Sequence, residues 1–75
     1  MTEESSSGDR WQSLTAAERR IARWVAEGHS NRAIAHRLGL SPHTIHAHLE
    51  HIYAKLGIHT RVELGVLSIK HPDPL

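Results

Sequence analysis

Three residues, Gly39-Leu40-Ser41, separate two stretches that each carry their own helix start and stop signals. That spacing constrains the fold more than any other feature of the chain. Upstream, Ser30 is a good N-cap for a short helix from Asn31 to about Leu38, with Ile34, Ala35 and Leu38 facing inward and Gly39 closing it. Downstream, Ser41 is the next N-cap, Pro42 suits a first helical position, and Gly57 can close the helix in a left-handed conformation. Two helices joined by so tight a Gly-containing turn, the second longer, make a helix-turn-helix. Leu40 is expected to plug the turn into the core.

The flanking sequence supplies two further helices. Thr15 and Glu18 form a capping box ahead of Ile21, Ala22 and Val25, with Trp24 beside them and Gly28 as the stop. Thr60 and Glu63 form a second box, after Ile58 turns inward, and this helix runs to about Lys70. Its periodicity predicts Val62, Gly65, Val66 and Ile69 as the inner stripe. Leu64 and Leu67 then face solvent, with Ser68 and His71 near them, and suggest a self-association surface. The fold class is therefore all-α, a four-helix helix-turn-helix domain over residues 14–71. Residues 1–13 read as a flexible leader or linker, in which Trp11 either tucks against the globule or is loosely held, and residues 72–75 as a frayed end. The expected core is Leu14, Ile21, Val25, Ile34, Leu38, Leu40, Ile45, Leu49, Ile52, Leu56, Ile58, Val62 and Val66.

Composition narrows the function classes. A chain of 75 residues has room for one small core and no deep catalytic cavity. There is no Cys, hence no disulfide or thiolate metal site, and no membrane span or signal peptide pattern, so a cytoplasmic location is expected. Neither a metalloprotease helix motif, a Gly-rich phosphate loop nor a buried Ser-His-Asp set is present, and no enzymatic activity is expected. The net charge is only +1, but the segment from Leu14 to His71 holds eight Lys and Arg against four Glu. A mildly basic globule is compatible with a polyanion partner without demanding one.

The third helix carries the most information. Ile45, Leu49, Ile52 and Leu56 form one apolar stripe, and the opposite side carries His43, Ala47, Glu50 and Ala54 with His46 at its edge. A second edge carries Thr44, His48, His51 and Lys55. Such a helix suits a DNA major groove, with packing behind, small side chains where backbones meet, and polar groups at the flanks. It also fits an ordinary amphipathic helix. Eight His residues read first as neutral polar surface groups in place of Lys, Asn or Arg. The competing reading is a DNA contact that charges slightly below neutrality. His43, His46 and Glu50 share a side of the helix, but one straight helix gives a poor tetrahedron, so no metal or other cofactor is expected.

As an ordered set, the residues resemble the LuxR/GerE-type helix-turn-helix, the output domain of many bacterial regulators of the NarL/FixJ kind, response regulators among them. The matching pieces are Leu14-Thr15, Glu18, Gly28, Ser30-Asn31-Arg32, Ile34-Ala35, Leu38, Ser41, Thr44-Ile45, His48, Ile52, Lys55-Leu56-Gly57 and Arg61-Val62-Glu63-Leu64. The resemblance implies a sequence-specific DNA-binding domain with its third helix in the major groove. It further implies a fourth helix that pairs two copies on a roughly two-fold symmetric duplex, through Leu64, Leu67, Ser68 and His71. The location is then the bacterial nucleoid, with RNA polymerase as a further partner. By position, Asn31, Arg32, Thr44, His48 and Lys55 would hold phosphates, with Arg61 near the next helix start. His46, Ala47 and Glu50 would read bases. The family often has a basic residue at the position of His46, and a basic or small polar one at that of Glu50. Glu50 either accepts from cytosine N4 or pairs with His46. The alternative is a helix-turn-helix turned protein-interaction module with little DNA affinity.

Overall fold

The computed structural model describes residues 10–71. A helical turn at residues 10–12 leads into α1 (Ala16–Ala26), α2 (Asn31–Leu38), α3 (Pro42–Leu56) and α4 (Arg61–Lys70), and there is no strand among the described residues. Every expected cap is in place. Thr15 and Glu18 exchange hydrogen bonds at 2.9 and 3.1 Å, and Thr60 and Glu63 do the same. The hydroxyls of Ser30 and Ser41 each accept a backbone N–H at 3.1 Å, from Ala33 and Thr44. Gly39 and Gly57 adopt φ of 69° and 70°, the left-handed region in which a side chain would be strained. Each lets the following N–H turn back into the helix, Leu40 to Ala35 O and Ile58 to Tyr53 O.

The helices pack as two pairs, α1 against α4 and α2 against α3. Ile34, Ile45, Ile52 and Leu64 are the largest fully buried side chains, and Leu14, Ile21, Val25, Leu49 and Leu56 complete the aliphatic core. Each is worth about 1.5–3 kcal/mol of transfer free energy. Leu38 and Ile58 pack against this core while half-buried.

Two sequence expectations need correction, and one open alternative is decided. In α4 the faces are reversed: Leu64 is 0% exposed and Ser68 is buried, whereas Val62 is 76% and Ile69 72% exposed, with Val66 also on the outside. Leu64 and Ser68 thus belong to the interior, and Val62 and Val66 do not. The helix has apolar residues on both sides, so its periodicity fits either stripe. Packing against α1 decides which stripe is buried. Gly65, expected inside, does face α1, where a Cβ would lie at an ordinary contact distance of 3.8 Å from the Ala26 Cα. Leu40, expected to be inside, is 42% exposed, because the turn is held by the backbone bond from Leu40 N–H rather than by its side chain. Trp11 is buried, at 5% exposure, and its ring stacks on His71 with centroids 5.1 Å apart. The packed unit therefore starts ahead of Leu14. The rest of the expected leader, residues 1–9, and the expected frayed end, 72–75, lie outside the described residues.

The reversed face gives a direct test. Leu64→Ala should cost about 2–5 kcal/mol in urea unfolding. Val62→Ala should stay within about 0.5 kcal/mol of the parent. The opposite ranking would restore Val62 to the core.

Candidate nucleic-acid interface

Burial of Ile45, Leu49, Ile52 and Leu56 turns the other side of α3 outward. There His43, His46, Ala47, Glu50, His51 and Ala54 are exposed, and Thr44 and His48 are half-buried at the margin. The arrangement is the one expected from helical spacing. His46 Nε2 lies 3.7 Å from Glu50 Oε2, one turn along, so these two side chains lean on each other. Ala47 leaves a shallow place between them. Thr44 Oγ1 is 2.9 Å from Ser41 Oγ, which fixes the hydroxyl at the N-terminal end of the helix. Burial pushes the Tyr53 hydroxyl pKa up, the nearby Arg61 charge opposes the rise, and Glu50 adds to it.

The expected phosphate residues divide into two groups. Arg32 is exposed on the first turn of α2, and Thr44 and His48 flank the outer face of α3. Lys55 and Arg61 are committed within the protein. Lys55 Nζ donates to Glu18 Oε1 at 2.7 Å and to Ser13 O at 3.4 Å. Arg61 Nη1 donates to Asn31 Oδ1 at 2.7 Å and Nη2 to His29 O at 2.6 Å. Arg61 and Asn31, expected as separate contacts, are thus one unit. Of the expected dimerisation residues, Leu64 and Ser68 are buried, Leu67 packs on the core, and His71 faces Trp11.

His36 and Arg37 drew no role from the sequence. With His29, Ser30, Arg32 and Ala33 they line an open cleft on α2, and Arg37 also lies 5.4 Å above the Trp24 ring. The i, i+4 spacing of Arg32 and His36 is the signal that could have joined them. Among the described residues, no three His, Cys, Asp or Glu side chains form a group able to hold a metal ion. No helix among them is long and apolar enough to cross a membrane.

Residues 12–68 match the model of the luxR family of bacterial regulatory proteins. The chain belongs to that family. A Mycobacterium tuberculosis protein named as an HTH-type transcriptional regulator is 56% identical over 64 residues, which is 85% of this chain and 7% of the relative. The transcriptional regulatory protein UhpA of Escherichia coli is 44% identical over 52 residues, 69% of this chain and 26% of the relative. The fimbriae Z protein of Salmonella typhimurium is 47% identical over 51 residues, 68% of this chain and 24% of the relative. The chain therefore spans about a quarter or less of the length of these relatives. No solved structure matches it. The luxR family is one of bacterial regulatory proteins and not an enzyme class, and the Mycobacterium tuberculosis and Escherichia coli relatives that match this helix-turn-helix are named as transcriptional regulators.

The Glu18–Lys55 pair predicts a pH dependence. Burial pushes the Glu18 carboxyl up, but hydrogen bonds from Lys55 and Thr15, together with the Lys55 charge, bring it below its ordinary value. A carboxyl lowered on folding stabilises the native state above its unfolded pKa, and that contribution is lost as pH falls through the folded value. Glu18→Gln keeps the oxygen that accepts from Thr15 N–H but loses the charge facing Lys55. With the pair partly open to solvent, it should lose up to about 1 kcal/mol of unfolding free energy at neutral pH. The gap from the parent should shrink as pH drops from about 5 to 3. A gap that does not change with pH would contradict this role.

Proposed function

We propose that the chain binds double-stranded DNA with α3 in the major groove and the first turn of α2 against the backbone. The observation that carries this reading is the outer face of α3, with small and hydrogen-bonding side chains outward and a continuous apolar stripe behind. His46, Ala47 and Glu50 read bases, with Ala47 placed for a thymine methyl and the His46–Glu50 pair acting as one hydrogen-bonding group. Arg32, Thr44 and His48 hold phosphates, with Asn31 beside them at the α2 start, where the helix dipole also favours anions. Lys55 is reassigned to holding α3 against the start of α1, through Glu18.

We further propose that two copies pair through α4, on the face opposite to that expected from the sequence. Val62, Val66 and Ile69 are exposed there, with half-buried Leu67 at the margin. A symmetric pair of such helices places two copies of α3 on a two-fold symmetric duplex.

Roles separate by measurement. Arg32→Ala should weaken binding to every duplex about equally and flatten the dependence of log affinity on log salt by about 0.9. Thr44→Ala should weaken all duplexes alike, whereas changes at His46 or Glu50 should reorder a panel of duplexes. Absence of any salt-sensitive retention would favour the protein-interaction module instead. Ile69→Glu should leave the melting temperature near the parent value and abolish pairing on DNA, read by sedimentation of the complex. Pairing that persists would place the interface elsewhere.

A further inference from the structure

We propose that Arg61 serves DNA binding through Asn31, holding the amide oxygen inward so that the amide NH2 is presented to a DNA phosphate. This rests on the DNA-binding reading above and assigns Arg61 a positioning role in place of the phosphate contact expected from its position. Three observations carry it. Guanidinium has five donors and no acceptor, so only the oxygen of the Asn31 amide can face it, and at 2.7 Å from Nη1 it does. The NH2 group, a pure donor, is thereby turned to the other side of the amide. A second bond, from Nη2 to His29 O at 2.6 Å, fixes the guanidinium plane to the segment that enters α2. Both Arg61 and Asn31 are half-buried, which shields the pair from competing water.

The backbone around each partner is also fixed. Arg61 follows the N-cap Thr60, whose hydroxyl and N–H are tied to Glu63, and Asn31 follows the N-cap Ser30. With its oxygen held by Nη1 of a guanidinium that is itself anchored on His29 O, between two capped helix starts, the amide keeps one orientation. A free Asn amide samples both orientations in the absence of DNA and has to settle with its NH2 outward before it can donate to an anion. The clamp removes the unfavourable orientation before DNA arrives. It also joins the helix proposed for pairing to the helix start proposed at the phosphates.

The test uses the chain and a random-sequence DNA duplex, with dissociation constants measured by fluorescence anisotropy over a series of salt concentrations and melting temperatures recorded alongside. Arg61→Ala should weaken binding severalfold with the salt slope unchanged. Asn31→Ala should weaken it to a similar extent, and the double variant should be no worse than either single one. Asn31→Asp keeps an oxygen for Arg61 and a melting temperature at or above the parent's, yet should bind more weakly than Asn31→Ala because it offers a carboxylate to the phosphate. A salt slope reduced by about 0.9 in Arg61→Ala would make Arg61 itself the phosphate contact and overturn the proposal. Additive losses in the double variant, or parental affinity in Asn31→Asp, would overturn it as well. Should Arg61→Ala fail to fold, Arg61→Lys, which keeps the charge but loses the planar two-bond geometry, takes its place: weaker binding at an unchanged salt slope is expected, and parental affinity would overturn the proposal. A parent chain with no salt-sensitive binding would instead remove the DNA-binding reading on which the proposal stands.

Discussion

Burial of the Ile45, Leu49, Ile52 and Leu56 stripe is the interaction on which the rest of the structure depends. A 15-residue helix has only one stable rotation once those four side chains enter the core. The same rotation sets which residues face out, so the core and the outer face are two consequences of one packing decision. Ser41, Pro42 and Gly57 fix the length of the helix, and the left-handed Gly39 sets its entry from α2. A domain this small has little rigidity to spare, and capping at every helix start supplies part of it.

Charged side chains extend that logic outside the core. Lys55 spans from the last turn of α3 to Glu18, which also caps α1. Arg10 donates to Leu56 O at 3.3 Å, at the end of α3 where carbonyls lack helical partners. Arg61 ties the start of α4 to the start of α2. These cations act as cross-braces between helix ends, so the number of basic residues overstates the charge free to meet a polyanion. The cations left facing outward on α2 are fewer and more localised.

Helix existence and boundaries were legible from the sequence because each is set by local chemistry: a hydroxyl three residues before the N–H it accepts, or a glycine where φ must be positive. The outer face of α3 was legible for a related reason, since only one of its sides is continuously apolar. On α4 both sides are apolar, and the choice between Leu64 and Val62 is made by packing against α1, a tertiary fact. Trp11 was ambiguous because its partner, His71, is 60 positions away in the chain. The pairing of Arg61 with Asn31 was hidden similarly, in that both residues carried a site role but nothing local linked them. Family membership assigned positions to roles and did not reveal which cations the fold had already engaged.

The central claim is that the outer face of α3 reads DNA sequence, and selection from a pool of random duplexes at low salt tests it most directly. Sequencing the retained molecules should return an enriched motif built of two inverted half-sites, each with preferences attributable to His46, Ala47 and Glu50. Retention without enrichment would reduce the interface to phosphate binding alone. No retention at all would contradict the account and leave the α3 face to a protein partner.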